Sequence, residues 1–183
     1  MNSPQGEVGI LKRHDSPILD MYIGNEHIIG TEVECGSVYN GRKNTCLYNS
    51  INYLLNILKI TDYSTPEDVR TYACDEMSDS NALYKKYGYC TSDTYYNNSI
   101  MAEASIIQSI CDSYHVSICV LLFETEQYCK NILYFCSKDN ILVYKKPLFI
   151  TLKMNHYKAV TDIYNKELQK YINMYQHVKF TCL

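Results

Sequence analysis

The chain has 183 residues, enough for one domain with a complete hydrophobic core. Its formal net charge of −3 argues against a nucleic-acid-binding protein, because such proteins usually carry a strongly basic face. The nine cysteines show no C-x-x-C spacing, the first residues carry no secretory signal, and no apolar run approaches the ~20 residues of a membrane span. We therefore expect a cytoplasmic protein with reduced cysteines, without a metal or other cofactor and without a membrane anchor.

The N-terminal part is predicted to form a polar arm followed by a β-hairpin. Residues 1–15 are polar and mixed, as is typical of a loose terminal arm. Gly24-Asn25 lies between two apolar runs, which is a signal for a hairpin turn of type II′. Residues 31–35 alternate weakly between apolar and polar, so we expect them to extend the same small sheet.

Cys46 is predicted to begin a buried helix. Asn44 and Thr45 before it are favoured N-cap residues. A thiol in the first turn feels the positive end of the helix, which favours the nucleophilic thiolate. Free cysteines are commonly buried in cores, so position alone favours a structural cysteine, and the surrounding residues must supply the case for a nucleophile. The residues that recur on one face of this helix are Leu47, Ser50, Ile51, Leu54, Leu55 and Leu58.

The middle of the chain predicts two more helices and a buried strand. Residues 64–68 read Ser-Thr-Pro-Glu-Asp, a strong helix start with a cap, proline and acids near the positive end. Residues 78–98 are polar and rich in tyrosine, which predicts loop and short helix. Residues 99–114 have the spacing of a packed helix, and residues 116–123 form an apolar run typical of a buried strand.

The remaining elements are mostly predicted strands. Residues 132–136 and 141–144 resemble a hairpin, and residues 148–152 and 156–160 resemble two further strands. Residues 166–175 have the pattern of a terminal helix. One α+β domain, with a central β-sheet flanked by helices, is the simplest organisation.

Three segments resemble one enzyme family. Residues 46–51 read Cys-Leu-Tyr-Asn-Ser-Ile and resemble the catalytic cysteine box of the ovarian tumour (OTU) deubiquitinases. Residues 102–105 and the strand from Val116 look like the family's Leu-Glu-Ala helix and the strand that follows it. Residues 155–160 resemble its catalytic histidine segment. The resemblance covers roughly residues 36–162, and the compact size is similar to that of viral OTU proteases in particular.

The resemblance implies a papain-like, OTU-like fold and a division of the chain. Residues 1–35 would form an N-terminal arm and hairpin extension, and residues 36–165 the catalytic domain. Residues 166–183 would contain a C-terminal helix packed on that domain. Cysteine proteases of this plan carry the cysteine on an early helix and the histidine much later in the chain.

The resemblance also implies roles for individual residues. Cys46 would be the nucleophile and His156 the general base, and Tyr157 would wall the channel for the substrate's C-terminal tail. The backbone N–H groups that would hold the oxyanion belong to Lys43, Asn44, Thr45 and Cys46.

The sequence departs from the family pattern at two places. The family's Asp-Gly-Asn before the cysteine is here Lys43-Asn44-Thr45. Lys158 lies where many members carry an acid or asparagine, and an ammonium cannot accept a proton from imidazole. The group that orients His156 must then come from elsewhere, or the site works as a dyad. The candidates for this orienting residue are Asn155, Asp162 and Asn40.

These features predict a cysteine-dependent deubiquitinase. It would hydrolyse isopeptide or peptide bonds after the C-terminus of ubiquitin or a ubiquitin-like modifier. We expect a viral enzyme that antagonises host ubiquitin signalling and acts as a monomer, without nucleic-acid or membrane partners. One alternative is a catalytically impaired OTU-like protein that binds ubiquitin or serves as a scaffold, which Lys43 and Lys158 favour. Another is a plain α+β interaction domain whose cysteine and histidine match by accident.

Overall fold

Eight strands and five helices build the part of the chain that the structure, a computed structural model, describes, residues 18–163. The strands are β1 (Ile18–Ile23), β2 (Glu26–Val33), β3 (Val38–Tyr39), β4 (Arg42–Lys43), β5 (Ser117–Phe123), β6 (Cys129–Cys136), β7 (Leu148–Lys153) and β8 (His156–Ile163). The helices are α1 (Cys46–Ile57), α2 (Pro66–Ser78), α3 (Asn81–Lys86), α4 (Ser92–Asn97) and α5 (Ala104–Tyr114).

Six of these strands form the central sheet in the order β1-β2-β8-β7-β5-β6. The pair β5 and β7 is parallel, and the other neighbours are antiparallel. Strands β3 and β4 form a separate two-stranded hairpin before α1. The α+β class and the central sheet flanked by helices, both expected from the sequence, are confirmed.

Both faces of β5 are buried, as its continuous apolar run predicts. Ile118 and Val120 point into the core shared with the helices. Cys119, Leu121 and Phe123 point into a second core on the opposite face. Alternate residues of one strand thus serve two cores.

The second core is enclosed because the edges of the sheet approach each other. The Tyr22 N–H of β1 donates a hydrogen bond to the Gln127 carbonyl at 2.7 Å. Tyr22 also pairs with Tyr128, just before β6, in an isolated parallel bridge. The central sheet therefore curls around its inner face.

The N-terminal hairpin is present but belongs to the central sheet. Gly24 takes φ +57° at the turn, a conformation that glycine adopts without strain. Strand β2 pairs with β8, so the hairpin forms one edge of the six-stranded sheet and not a small sheet of its own. Val33 pairs with Ala159, and continuation of this register places residues 34–36 beside residues 156–158.

Helices α1 and α2 begin where the sequence predicts. At α2, the Thr65 hydroxyl accepts from the Asp68 N–H while the Asp68 carboxylate accepts from the Thr65 N–H, a complete capping box. Helix α1 begins at Cys46 with Thr45 in the cap position. The buried Thr45 hydroxyl, however, makes no capping hydrogen bond.

Two sequence predictions are wrong. Helix α5 begins at Ala104 and not at residue 99, because side chains from other elements bind the preceding backbone: Asn44 donates to the Ser99 carbonyl and Tyr157 to the Ala102 carbonyl. Residues 141–144 form no strand, since β6 pairs with β5 instead. The helix predicted over 166–175 lies outside the described residues.

Candidate active site

Cys46 lies at the start of α1, which packs against β8 and β7 of the sheet. The apolar face of the helix is buried as its spacing predicts, and Leu47, Ile51 and Leu55 are fully enclosed. The Ser50 hydroxyl donates to the Tyr157 carbonyl at 3.3 Å. This bond joins the cysteine helix to the residue that follows His156.

The environment of Cys46 favours the neutral thiol. Burial is the largest influence and raises the pKa of the Cys46 thiol above its ordinary value. The backbone N–H groups of Tyr157, Leu47 and Cys46 itself oppose this effect, whereas the negative charge of Glu34 adds to it. The helix terminus was expected to favour thiolate, but the loss of solvation outweighs it. A base is therefore required to activate the thiol.

His156 begins β8 and has a carboxylate partner. Its Nε2 atom lies 2.8 Å from Oε1 and 2.9 Å from Oε2 of Glu34. Because a carboxylate only accepts, we assign the ring proton of neutral His156 to Nε2. Nδ1 then carries the lone pair that can take a proton from a thiol.

Glu34 follows the last residue of β2 and is held from several sides. The Gly36 N–H donates to Glu34 Oε1 at 2.8 Å, and the Lys158 ammonium lies 3.5 Å from Oε2. Partial burial alone would raise the pKa of Glu34. The hydrogen bonds from His156 and Gly36 and the charges of His156 and Lys158 outweigh burial, so the pKa is lowered. The carboxylate is thus kept ionised against the imidazole.

The sequence did not identify Glu34 as the partner of His156. Asn155 lies in the β7–β8 turn with φ +63° and Asn40 in the β3–β4 turn with φ +47°, and within residues 18–163 neither bonds to the imidazole. Asp162 is six residues further along β8, roughly 20 Å away at the rise of a strand. The missed signal is an acid at the end of a strand that leads into the cysteine loop, which is informative only once β2 is paired with β8.

The loop before Cys46 keeps a path that asparagine tolerates. Asn44, where the family pattern has glycine, adopts φ +56°. Its side chain donates to the Ser99 carbonyl at 2.5 Å. Arg42, at the start of β4, donates to the Tyr96 carbonyl and so ties the same loop to α4.

The four predicted oxyanion donors are not equivalent. The Thr45 N–H already donates to the Ser37 carbonyl at 3.1 Å, so it is engaged in this structure. The Cys46 N–H lies in the first turn of α1, where helical N–H groups have no partner within the helix. Lys43 pairs with Val38 across the small hairpin. Cys46 is therefore the donor best placed for an anion beside its own sulfur.

The side chain of Tyr157, which the resemblance places at the wall of the substrate channel, lies in the core of this structure. That side chain is 3% exposed, and its hydroxyl donates to the Ala102 carbonyl at 3.3 Å. Strand alternation explains this placement, since Tyr157 and Ala159 face the helix-side core while His156 and Lys158 face the other way. Tyr157 supports the segment before α5 from within the core.

Three further observations limit the chemistry of the described residues. Residues 18–163 contain no group of three or more His, Cys, Asp or Glu side chains arranged to hold a metal ion. The eight cysteines in this range are free thiols. No helix in the same range is both long and apolar enough to cross a membrane.

The chain is similar to known proteins in its structure, although its sequence alone matches none of them closely. No protein-family model and no curated protein matches the sequence. An OTU domain solved in complex with ubiquitin is similar, with a TM-score of 0.53 and 18% identity over 83% of each chain. The viral OTU domain protease of Dera Ghazi Khan virus has a TM-score of 0.48 and 12% identity, over 79% of this chain and 94% of that one. The viral OTU domain protease of Farallon virus has a TM-score of 0.45 and 10% identity, over 81% of this chain and 99% of that one.

At sequence identities of 18% and below, the likeness to these structures concerns the fold alone. The first structure matches over most of both chains, and the α+β domain described above has the same organisation. The chain therefore has an OTU-like fold, as the cysteine box and the histidine segment predicted.

Proposed function

We propose that this protein is a cysteine-dependent deubiquitinase with Cys46 as nucleophile and His156 as general base. One observation carries the proposal: a carboxylate 2.8 Å from His156 Nε2 orients the imidazole on the strand that is joined to the cysteine helix. A base with an orienting carboxylate, on the strand bonded to the cysteine helix, supports a role for Cys46 as the nucleophile that this base would activate. The OTU-like fold, shared with a domain solved bound to ubiquitin, supports ubiquitin or a related modifier as substrate.

The first half of the reaction forms a thioester. Glu34 accepts the Nε2 hydrogen of His156 and leaves Nδ1 to take the proton of the Cys46 thiol. The sulfur attacks the carbonyl carbon at the C-terminus of the modifier. The Cys46 N–H, with the Asn44 N–H of the preceding loop, stabilises the tetrahedral oxyanion. The imidazolium then gives its proton to the leaving lysine amine as the C–N bond breaks.

The second half hydrolyses the thioester. His156 takes a proton from water, which attacks the thioester carbonyl, and the C–S bond breaks. The departing sulfur regains a proton from the imidazolium, and the modifier leaves with a free carboxylate. Because burial raises the pKa of the Cys46 thiol, the neutral thiol is the form from which the proposed reaction starts.

The proposal extends to the setting of the enzyme. A compact catalytic unit and a sequence that matches no family model suit a virus-encoded protease acting on host conjugates in the cytoplasm. Residues 36–165 would be the catalytic unit, and the contact of Glu34 with His156 supports a contribution of this residue, from the end of the preceding hairpin, to the same site.

One observation favours a second candidate, a catalytically impaired protein that binds ubiquitin. Cys46 is only 5% exposed, and its pKa is raised. If the thiol stays protonated and buried, the protein would not catalyse hydrolysis but could still bind ubiquitin. The two candidates differ in turnover and not in affinity for the modifier.

Hydrolysis of ubiquitin carrying a fluorogenic C-terminal amide tests the proposal. We expect turnover by the wild type and none by Cys46→Ala. Cys35→Ala is the matched control, because Cys35 lies beside the site and contacts Ser50 but is given no role in the reaction. Ubiquitin binding without turnover by folded wild-type protein would support the second candidate. Absence of both would support an interaction domain.

A further inference from the structure

Glu34 needs support from its neighbours. It lies beyond the last residue of β2, outside regular structure, and its side chain is 43% exposed. A carboxylate at such a position has several accessible rotamers, and only one of them meets the imidazole. Residues that select this rotamer would act on catalysis without touching the substrate.

Lys158 holds Glu34 from the strand that carries His156. Its Nζ atom lies 3.5 Å from Oε2 of Glu34 and 3.5 Å from Oε1 of Glu32. Lys158 is two residues after His156, so both side chains lie on the same face of β8. The ammonium thus bridges two carboxylates beside the base.

Glu32 anchors this ammonium. Its side chain is 10% exposed, and it accepts a hydrogen bond from the Thr151 hydroxyl at 2.7 Å. Lys153 lies 3.3 Å from the same carboxylate and above the ring of Phe123. Because Thr151 and Lys153 fix Glu32, the carboxylate that binds Lys158 has a defined position.

Asn49 holds the backbone next to Glu34 from the helix that carries Cys46. Its amide nitrogen donates to the carbonyls of Cys35 at 3.0 Å and Gly36 at 3.1 Å. Gly36 takes φ +78°, which turns the chain so that its own N–H meets the Glu34 carboxylate. Asn49 is 7% exposed and three residues after Cys46, on the same side of the helix.

We propose that Lys158 and Asn49 are positioning residues that lock Glu34 against His156, Lys158 through its charge and Asn49 through the backbone. The inference rests on the proposed function, because orientation of the base matters only if His156 acts as one. This role differs from the interpretation based on the sequence, in which a lysine at position 158 favoured a catalytically impaired protein. Lys158 instead stabilises Glu34, the acid that follows the last residue of β2.

The two residues should have different pH signatures. The charged or titratable groups that act on Glu34 are His156 and Lys158 from β8, and Cys46 and Cys35 feel its charge in turn. Loss of the Lys158 charge raises the pKa of Glu34, so the carboxylate is lost at a higher pH. The titration of the Glu34 carboxyl, followed by carbon NMR, therefore moves to higher pH in Lys158→Met and stays in place in Asn49→Ala, which changes no charge.

The test measures kcat and KM against pH with the fluorogenic ubiquitin amide. We expect Lys158→Met and Asn49→Ala each to lower kcat by about tenfold with little change in KM. Lys158→Arg should restore most of the rate because it keeps the charge. Lys138→Met is the matched control, since it removes a surface lysine that pairs with Glu76 far from the site.

A double-mutant cycle separates positioning from general destabilisation. In a Glu34→Gln background, neither Lys158→Met nor Asn49→Ala should lower kcat further, because both act through the missing carboxylate. Additive losses in an active enzyme would overturn the inference but leave the proposed function intact. If the wild type turns over neither the ubiquitin amide nor the corresponding amide of any ubiquitin-like modifier, the proposed function fails. Carbon NMR titration of the Glu34 carboxyl then still decides the part played by Lys158, since an unchanged pKa in Lys158→Met would refute it.

Discussion

The Nε2 atom of His156 lies 2.8 Å from Oε1 of Glu34, across 122 residues of sequence. The contact exists because β2 pairs with β8, so the end of one strand meets the beginning of the other. This pairing brings the end of the N-terminal hairpin to the candidate site. It also supplies the acid that the segment after His156 lacks.

Replacement of Glu34 by glutamine should impair catalysis strongly. A glutamine keeps the shape, and its amide oxygen can still accept the Nε2 hydrogen, but it loses the charge that stabilises the imidazolium. We expect kcat to fall by roughly 100-fold with little change in KM. Steady-state hydrolysis of the fluorogenic ubiquitin amide measures both constants.

Asp162→Asn is the matched control for that experiment, because it removes a carboxylate from the same strand far from His156. It should leave kcat/KM within about twofold of the wild type. A large loss in Asp162→Asn together with a mild effect of Glu34→Gln would contradict the assignment of the orienting acid.

Cys46 should react slowly with small electrophiles at neutral pH. Burial raises the pKa of its thiol above the ordinary value of 9.0, so the thiolate population grows only on the alkaline side. The rate of alkylation by iodoacetamide should therefore climb with pH and show no plateau below pH 9. Mass spectrometry of the Cys46 peptide follows the reaction, with the fully buried Cys119 as an internal control that stays unmodified. A plateau near pH 6 would reveal a thiolate–imidazolium pair in the resting protein.

Asn44 should be more sensitive to alanine than to glycine. Its φ of +56° costs a residue with a plain Cβ about 1 kcal/mol, whereas glycine adopts it freely. We expect Asn44→Ala to lower the free energy of unfolding by about 1–2 kcal/mol, from strain and from the lost bond to the Ser99 carbonyl. Asn44→Gly loses the bond alone and should retain more activity. Urea denaturation with parallel rate measurements would show this order, and the reverse order would rule out the loop path described.

Tyr157→Phe should affect stability and leave substrate binding unchanged. The variant leaves the Ala102 carbonyl without its buried donor, which costs about 1 kcal/mol in the free energy of unfolding. KM should stay constant because the ring lies in the core. A raised KM at unchanged stability would instead support the sequence-based prediction that Tyr157 walls the substrate channel. Thermal unfolding and hydrolysis kinetics on the same samples separate these outcomes.

The local elements could be predicted because their signals lie within short segments. The apolar spacing after Cys46, the glycine turn at Gly24 and the cap at Thr65 each identify an element without knowledge of its neighbours. The OTU-like fold was accessible for a related reason, since the cysteine box and the histidine segment are both contiguous.

The features that were missed depend on contacts between distant segments. Glu34 becomes a site residue only through the pairing of β2 with β8, which no pattern within either strand specifies. The start of α5 is delayed because Asn44 and Tyr157 bind the backbone before it. The neutral thiol of Cys46 likewise reflects tertiary burial, which outweighs the local effect of the helix terminus.

Capture by ubiquitin with a thiol-reactive C-terminal warhead tests whether Cys46 and His156 form a protease site. We expect one covalent adduct with the wild type, mapped to Cys46 by mass spectrometry. The adduct should be absent in Cys46→Ala, much slower in His156→Ala and slowed in Glu34→Gln. If folded wild-type protein gives no adduct with ubiquitin or with any ubiquitin-like probe, the claim that Cys46 and His156 form a protease site is wrong.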